Sequence, residues 1–433
     1  MNMETELQMK NNKEGGNVLA SGGFGCVFSP ALKCIGKNKR DEGKISKLMT
    51  NNHAKEEYDE IKNINSKLNK IHKYKDYFLI DDFSLCKPSK LTQSDLKNYR
   101  ECDALIKESI TAKTINNSLD KLLAINMPYG GITVENFVTN SNNYSKLMDT
   151  NNKLIDLLKN GILKMNQKHI YHSDIKGSNI LILTHAHEKN QSIDMKVRLI
   201  DWSLTVEYIP FKNSIFPINW KNRPLQFNVP FSIILFTDMF VDSYSEFLES
   251  NSYVNSLSKR KMLFKFVKNY LHLWMKKRGP GHYKYINKIM YMLFKYDLVS
   301  TKHNNKNSDN NDEIKRYIEI NYTLPYIINY LVEILFHFTK FRDDGSLDIR
   351  YYLDNYFIKI IDIWGFIISY FPLYELLFEN YHNLNTTQMM LLNKLKHIFI
   401  NYLYSPQIHL IKLKNLENDL KDLNNFFKIQ KKI

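Results

Sequence analysis

The chain has 433 residues, 43% of them hydrophobic, enough to bury a large core and to exclude a disordered polymer. Sixty Lys and Arg against 45 Asp and Glu leave a formal charge of +15, which favours anionic partners: nucleotides, acidic peptides, nucleic acid or a membrane surface. The excess is spread out, and the clusters Lys259-Arg-Lys261, Lys276-Lys-Arg278 and Lys431-Lys432 read as solvated helix faces and ends rather than a binding arm.

Residues 1–16 form a polar tail without the apolar core of a secretory signal. Cys26, Cys34, Cys86 and Cys102 show no CxxC spacing and read as free thiols, so a reducing, cytoplasmic compartment is expected. Asn17 to Ala20 and Gly25 to Ser29 predict two strands around a glycine turn, with a third strand at Lys44 to Met49. Over Asn52 to Ile71, the steps from Glu57 to Ile61, Ile64 and Leu68 put four side chains on one helix face, with Glu56 on the neighbouring face. Tyr77 to Ile80 and Leu122 to Met127 predict further strands, separated by a polar insertion that includes residues 86–118 and whose placement stays open. Asn140 to Asn152 reads as an Asn/Ser-rich connector, Leu154 to Met165 as a helix, and Ile180 to Leu183 and Val197 to Ile200 as strands. Beyond residue 205 the chain is expected to be mostly helical, interrupted by the low-complexity loop His303 to Asp312. Its longest apolar runs, Phe231 to Phe236 and Ile363 to Leu373, fall short of the roughly 18 residues of a membrane span and are expected to be buried helices.

Four local signals carry chemistry, and they occur in one order. Leu19-Ala-Ser-Gly-Gly-Phe-Gly-Cys-Val27 is a strand-turn-strand whose glycines let backbone amides approach phosphate oxygens. Lys47, flanked by apolar neighbours on its strand, can pair with Glu57 and hold an ammonium against phosphates; Lys33 and Lys44 are rivals, the first too close to Val27 for a new strand and the second outside the apolar bracket of Ile45 and Leu48. In His172-Ser-Asp-Ile-Lys-Gly-Ser-Asn179, Asp174 can orient a hydroxyl and take its proton, Lys176 can neutralise a phosphate and Asn179 can ligate a metal. Asp201, ending the strand before Trp202-Ser203, offers a carboxylate suited to Mg²⁺.

In this order the motifs resemble the eukaryotic-type protein kinases. Gly-Gly-Phe-Gly-Cys-Val-Phe-Ser-Pro-Ala-Leu-Lys-Cys, Ser-Lys-Leu-Met, Met127-Pro-Tyr-Gly-Gly131 and Arg223-Pro-Leu-Gln-Phe-Asn-Val-Pro-Phe-Ser232 are similar to the serine/threonine kinases of large cytoplasmic DNA viruses, over residues 17 to 240. The resemblance implies an α+β, bilobal kinase-like fold: a small β-rich N-lobe at 17–126, a hinge at 127–131 and an enlarged helical C-lobe with a C-terminal extension at 132–433. It implies ATP and Mg²⁺ as cofactors. Gly22, Gly23 and Gly25, with Ala20 in the position of the first loop glycine, would cover the phosphates. Val27 and Leu181 would sandwich the adenine, Lys47 would bind phosphates and pair with Glu57, and backbone groups of Met127 to Tyr129 would meet the adenine edge. Asp174 would be the base, assisted by Lys176, with Asn179 and Asp201 as metal ligands.

Departures from the family pattern carry their own expectations. Ser173 stands where the family has Arg, so no guanidinium is expected beside Asp174 and activity should not depend on a phosphorylated activation segment. Trp202-Ser203 replaces Phe-Gly, and no Ala-Pro-Glu follows. The expected activity is phosphorylation of serine or threonine in a protein substrate, with acidic proteins favoured by the charge. A small-molecule kinase on the same scaffold, or an inactive kinase-like scaffold, is the alternative. Nucleic acid is disfavoured because the aromatics follow helical core spacing, and a cytoplasmic location extends to a virus factory or virion.

Overall fold

In the computed structural model the described residues are 17–141, 143–186, 193–212, 216–251, 256–301, 311–404 and 408–429. The polar tail and residues 303–310 of the expected low-complexity loop lie outside them. The chain divides into two compact units, one of residues 1–133 and 181–203, the other of residues 134–180 and 204–433. The first unit therefore takes in 181–203, which the sequence assigned to the second lobe. The reason is strand pairing, since these residues join the first unit's backbone ladder.

The first unit is built on β1 (Asn17–Ser21), β2 (Gly25–Ser29), β3 (Lys44–Thr50), β4 (Ser84–Cys86) and β5 (Leu122–Pro128), in the spatial order β1-β2-β3-β5-β4 and antiparallel throughout. Successive side chains of a strand point to opposite faces, and that alternation sorts β3. Ser46 and Leu48 face one side; Lys47 and Met49 face the helix Asn51–Leu68, whose Ile61, Ile64 and Leu68 are buried as the periodicity predicts. A second, three-stranded sheet is made by β6 (Ile132–Thr133), β8 (Ile180–Ala186) and β9 (Ile193–Leu199). Gly131 opens β6 at φ 97°, and a Cβ there would stand 2.0 Å from the Ile182 carbonyl oxygen, so only glycine fits.

The insertion left unplaced by the sequence is ordered. Leu91, Tyr99, Cys102, Leu105, Ile110 and Ile115 pack with Cys26, Phe28, Leu48 and Ala124 on the outer face of the five-stranded sheet. Burial of each large apolar side chain there contributes about 1.5–3 kcal/mol. Bidentate Arg40 to Asp95, at 2.9 and 3.0 Å, also ties the insertion to the β2–β3 connection. The expected strand at Tyr77 to Ile80 is instead a short helix, Tyr74–Tyr77, followed by one parallel bridge from Phe78 to Leu199.

The reading of four free thiols is corrected. Cys26 is joined to Cys102 and Cys34 to Cys86, each pair tying the sheet region to the insertion. Four cysteines far apart in sequence show no pairing until the sheet is folded, which is why spacing missed them. The correction removes the support that unpaired thiols lent to a reducing compartment. Alkylation of the denatured chain without reductant should label no cysteine, and Cys102→Ser should cost about 2–4 kcal/mol in urea unfolding; labelling of all four would refute the pairing.

The second unit is helical. Asn143 caps the helix Tyr144–Asp156 by accepting from Ser145 N at 2.8 Å, so the Asn/Ser-rich stretch expected as a connector is a helix start. That helix continues through a π-helical stretch, Leu157–Ile162, into Leu163–Gln167 and on to β7 (Ile170–Tyr171). β7 pairs with β10 (Val206–Glu207). The C-terminal helix Leu413–Ile429 packs along Tyr144–Asp156, where Asn151 Nδ2 donates to the Leu420 carbonyl at 2.8 Å. Phe231–Leu235 is a buried 3-10 turn, and Ile358–Ile368 and Phe371–Glu379 are consecutive helices. The run Arg350–Glu379 is long and apolar enough to cross a membrane by length and composition, and 83% of its most apolar window is buried inside the fold.

Candidate active site

In the first unit, strand register lines up Ala20, Val27, Lys47, Ile125 and Leu85 as neighbours across β1, β2, β3, β5 and β4. The β1–β2 turn holds Gly22 and Gly23 and is closed by Gly22 N donating to the Gly25 carbonyl at 2.8 Å. Lys47 lies between Ile45 and Met49 on the helix-facing side of β3. Its Nζ meets Glu57 Oε1 at 2.8 Å and Oε2 at 2.6 Å, with the side chains 18% and 16% exposed. The two rivals have other surroundings: Lys33 is exposed, and Lys44 meets the Asp82 carbonyl at 2.9 Å and carboxylate at 2.8 Å.

Met127 pairs with Ile45, and Tyr129 N donates to the Gly43 carbonyl at 3.0 Å. Of the backbone groups of Met127 to Tyr129 expected at the adenine edge, the Tyr129 N–H is thus engaged within the first unit. Leu181 is buried on β8, close enough to Gly130 that a Cβ there would come within 2.4 Å of its Cδ1. Asp201 follows β9 with φ 66°, a left-handed conformation that Asp tolerates better than most residues. Its carboxylate is exposed and accepts from Ser203 Oγ at 2.8 Å, while the next residue, Trp202, is buried edge-on against Phe78 at 5.6 Å.

The second unit carries Asp174, Lys176 and Asn179, and it brings these three together. Lys176 Nζ lies 2.9 Å from Asp174 Oδ2. Asn179 Nδ2 donates to the Asp174 carbonyl at 2.8 Å and to Oδ2 at 2.9 Å, which turns the amide oxygen away from the carboxylate. Asp174 is only 6% exposed. Burial pushes its carboxyl up, but Lys176, the Asn228 amide and His172 outweigh that and hold it below the ordinary carboxylate range. An ionised, oriented carboxylate beside an ammonium is the result.

Sequence reasoning missed what holds this loop. Asp362, buried in the helix Ile358–Ile368, accepts from His172 N at 2.9 Å and Asn166 Nδ2 at 2.7 Å through Oδ2, and from Ser173 N at 2.8 Å through Oδ1. Three residues on, Gly365 lets the helix approach: a Cβ there would lie 2.4 Å from the Ile175 carbonyl oxygen. The available signal was a lone acid inside Ile-Lys-Ile-Ile-Asp-Ile-Trp, since a buried charge must be matched by partners. Arg223 also brings a buried guanidinium to Asp174, where none was expected with Ser173 in the place of Arg.

Within the second unit, Asn179 has its amide hydrogens committed to Asp174, which leaves its oxygen, a hard-cation ligand type, uncommitted to them. Within the first unit, Asp201 keeps a solvent-facing carboxylate of the same ligand class. Among the described residues no three His, Cys, Asp or Glu side chains cluster as a metal site.

The first unit is β-rich and carries the Lys47–Glu57 pair, and the second is helical and carries the Asp174 loop. Neither a family model nor a curated protein matches the chain. Among solved structures the chain is similar to a Plasmodium kinase domain at 12% identity and a TM-score of 0.28. That match covers 51% of this chain and 56% of the kinase domain, a likeness too slight to establish a shared fold.

Proposed function

We propose that the protein is an ATP-dependent protein kinase that phosphorylates serine or threonine. One observation carries the reading: Asp174, Lys176 and Asn179 share a single hydrogen-bonded cluster on a buried loop. Asp174 would accept the proton of the acceptor hydroxyl, and Lys176, now resting on Asp174, would turn to the transferred phosphoryl group. In the first unit, Lys47, fixed by Glu57, would bind the nucleotide phosphates under Gly22, Gly23 and Gly25. Val27, Leu181 and the Met127 backbone would bound the adenine. Asn179 and Asp201 would hold Mg²⁺, which when bound neutralises charge on the phosphates.

The acceptor is proposed to be an acidic protein, a preference that rests on the +15 charge alone. The test is transfer of label from γ-labelled Mg-ATP to the chain itself and to acidic and neutral generic substrates, with phosphoamino-acid analysis. Label on serine or threonine is expected, with acidic substrates favoured. Absence of transfer, together with no thermal shift on adding ATP with or without Mg²⁺, would remove the reading.

A further inference from the structure

The segment from Trp220 to Asn228, outside the loop that carries Asp174, grips that loop at four points. Trp220 Nε1 donates to Ser173 Oγ at 2.8 Å. Arg223 Nη1 donates to the Ser173 carbonyl at 2.7 Å, and its Nη2 stands 3.9 Å from Asp174 Oδ1. Asn228 Nδ2 donates to that same Oδ1 at 2.8 Å, and it lies 3.4 Å from the Ile175 carbonyl. The segment is itself anchored, because Trp274 Nε1 donates to the Arg223 carbonyl at 3.2 Å and His282 N to the Leu225 carbonyl at 2.8 Å.

A guanidinium that is 6% exposed is costly unless it is matched by opposite charge. Burial pulls the Arg223 value down to about 10, with Asp174 and Asp362 opposing that pull, so it stays cationic at neutral pH. Its planar fork fixes direction as well as charge, which a lysine cannot fully reproduce. The three faces of Asp174 are thereby assigned: Lys176 and Asn179 on Oδ2, Asn228 on Oδ1, and Arg223 behind the peptide that precedes it.

We propose that Arg223 and Asn228 are positioning residues for Asp174, fixing the carboxylate's rotation and the preceding Ser173 peptide by contacts present in the resting protein. This rests on the phosphotransfer reading, in which Asp174 orients the acceptor hydroxyl. In that reading both residues act on the Asp174 loop and neither is assigned to nucleotide, so their loss should appear in kcat and leave nucleotide binding alone.

The test compares Arg223→Met, Arg223→Lys and Asn228→Leu with the full-length wild type. It uses Mg-ATP with a generic serine/threonine substrate, ATP-induced thermal shift, and hydrogen exchange of peptides spanning 172–179. Arg223→Met should lower kcat on the order of 100-fold, with KM for ATP changed less than about threefold, since misplacement of a reacting group acts on the chemical step. Arg223→Lys should recover about tenfold of that loss, and exchange should quicken over 172–179 but not over the helix Leu413–Ile429. Wild-type kcat in Arg223→Met, equal loss in the Lys and Met variants, or exchange quickened throughout the second unit would overturn the proposal. Should Arg223→Met fail to fold, the same split between kcat and KM is required of Asn228→Leu, and its absence overturns the proposal equally. If the wild type transfers no phosphoryl group, the phosphotransfer reading fails by itself, and loop exchange still decides whether Arg223 holds Asp174.

Discussion

Asp174→Asn is expected to lower kcat for phosphoryl transfer by about 10³- to 10⁴-fold, with the ATP-induced thermal shift preserved. Asn keeps the volume and one accepting oxygen but cannot take a proton, so the loss reports on the transition state rather than on binding. The choice of Asn over Ala follows from the site. Asp174 accepts from Lys176, Asn179 and Asn228 and faces Arg223, all of them part of one buried cluster. Asp174→Ala would strand a buried cation and its neighbours, at a cost of about 3–5 kcal/mol, and mix lost folding with lost chemistry. Steady-state kinetics and nucleotide titration on the same preparation separate the two. Equal turnover of wild type and Asp174→Asn would show that this carboxylate is not the base.

The second large effect belongs to Asp362. Its replacement by Ala should destabilise the protein by about 3–5 kcal/mol, because two buried donors and one half-buried donor would lose their acceptor and each buried group costs about 1–3 kcal/mol. The donors are His172 N, Ser173 N and Asn166 Nδ2. Burial pushes the Asp362 carboxyl up, while His172 and these N–H groups pull the other way. Urea unfolding followed by intrinsic fluorescence gives the change, and a loss below about 1 kcal/mol would mean that the loop does not depend on this carboxylate. Asp362→Asn should fall between wild type and Ala, since it keeps one accepting oxygen and turns the other into a donor facing an N–H.

The Lys47–Glu57 pair illustrates what can be read before a structure. Strand alternation put Lys47 between apolar neighbours, helical spacing put Glu57 on the inward face of the next helix, and the two meet at 2.6 Å. The cluster at Asp174 was legible for the same reason: Asp174, Lys176 and Asn179 lie within six residues on one turn, so local geometry alone can bring them together. The insertion at 86–118 was not legible. Its polar composition hides seven buried apolar side chains whose partners come from distant strands, and no local period marks them.

The amino-acid sequence by itself determined the elements with short-range causes: the glycine hairpin, β3 and its helix, and the loop bearing Asp174. Tertiary structure alone decided the two disulfides, the transfer of 181–203 to the first unit, the enclosure of Asp174 by Arg223 and Asn228, and the hold of Asp362 on the residues just before it. Asp362 and Asp174 lie 188 positions apart. Periodicity reports which face of an element is buried, but the partner of a buried charge is chosen by the packing of segments remote in sequence, which no local pattern encodes.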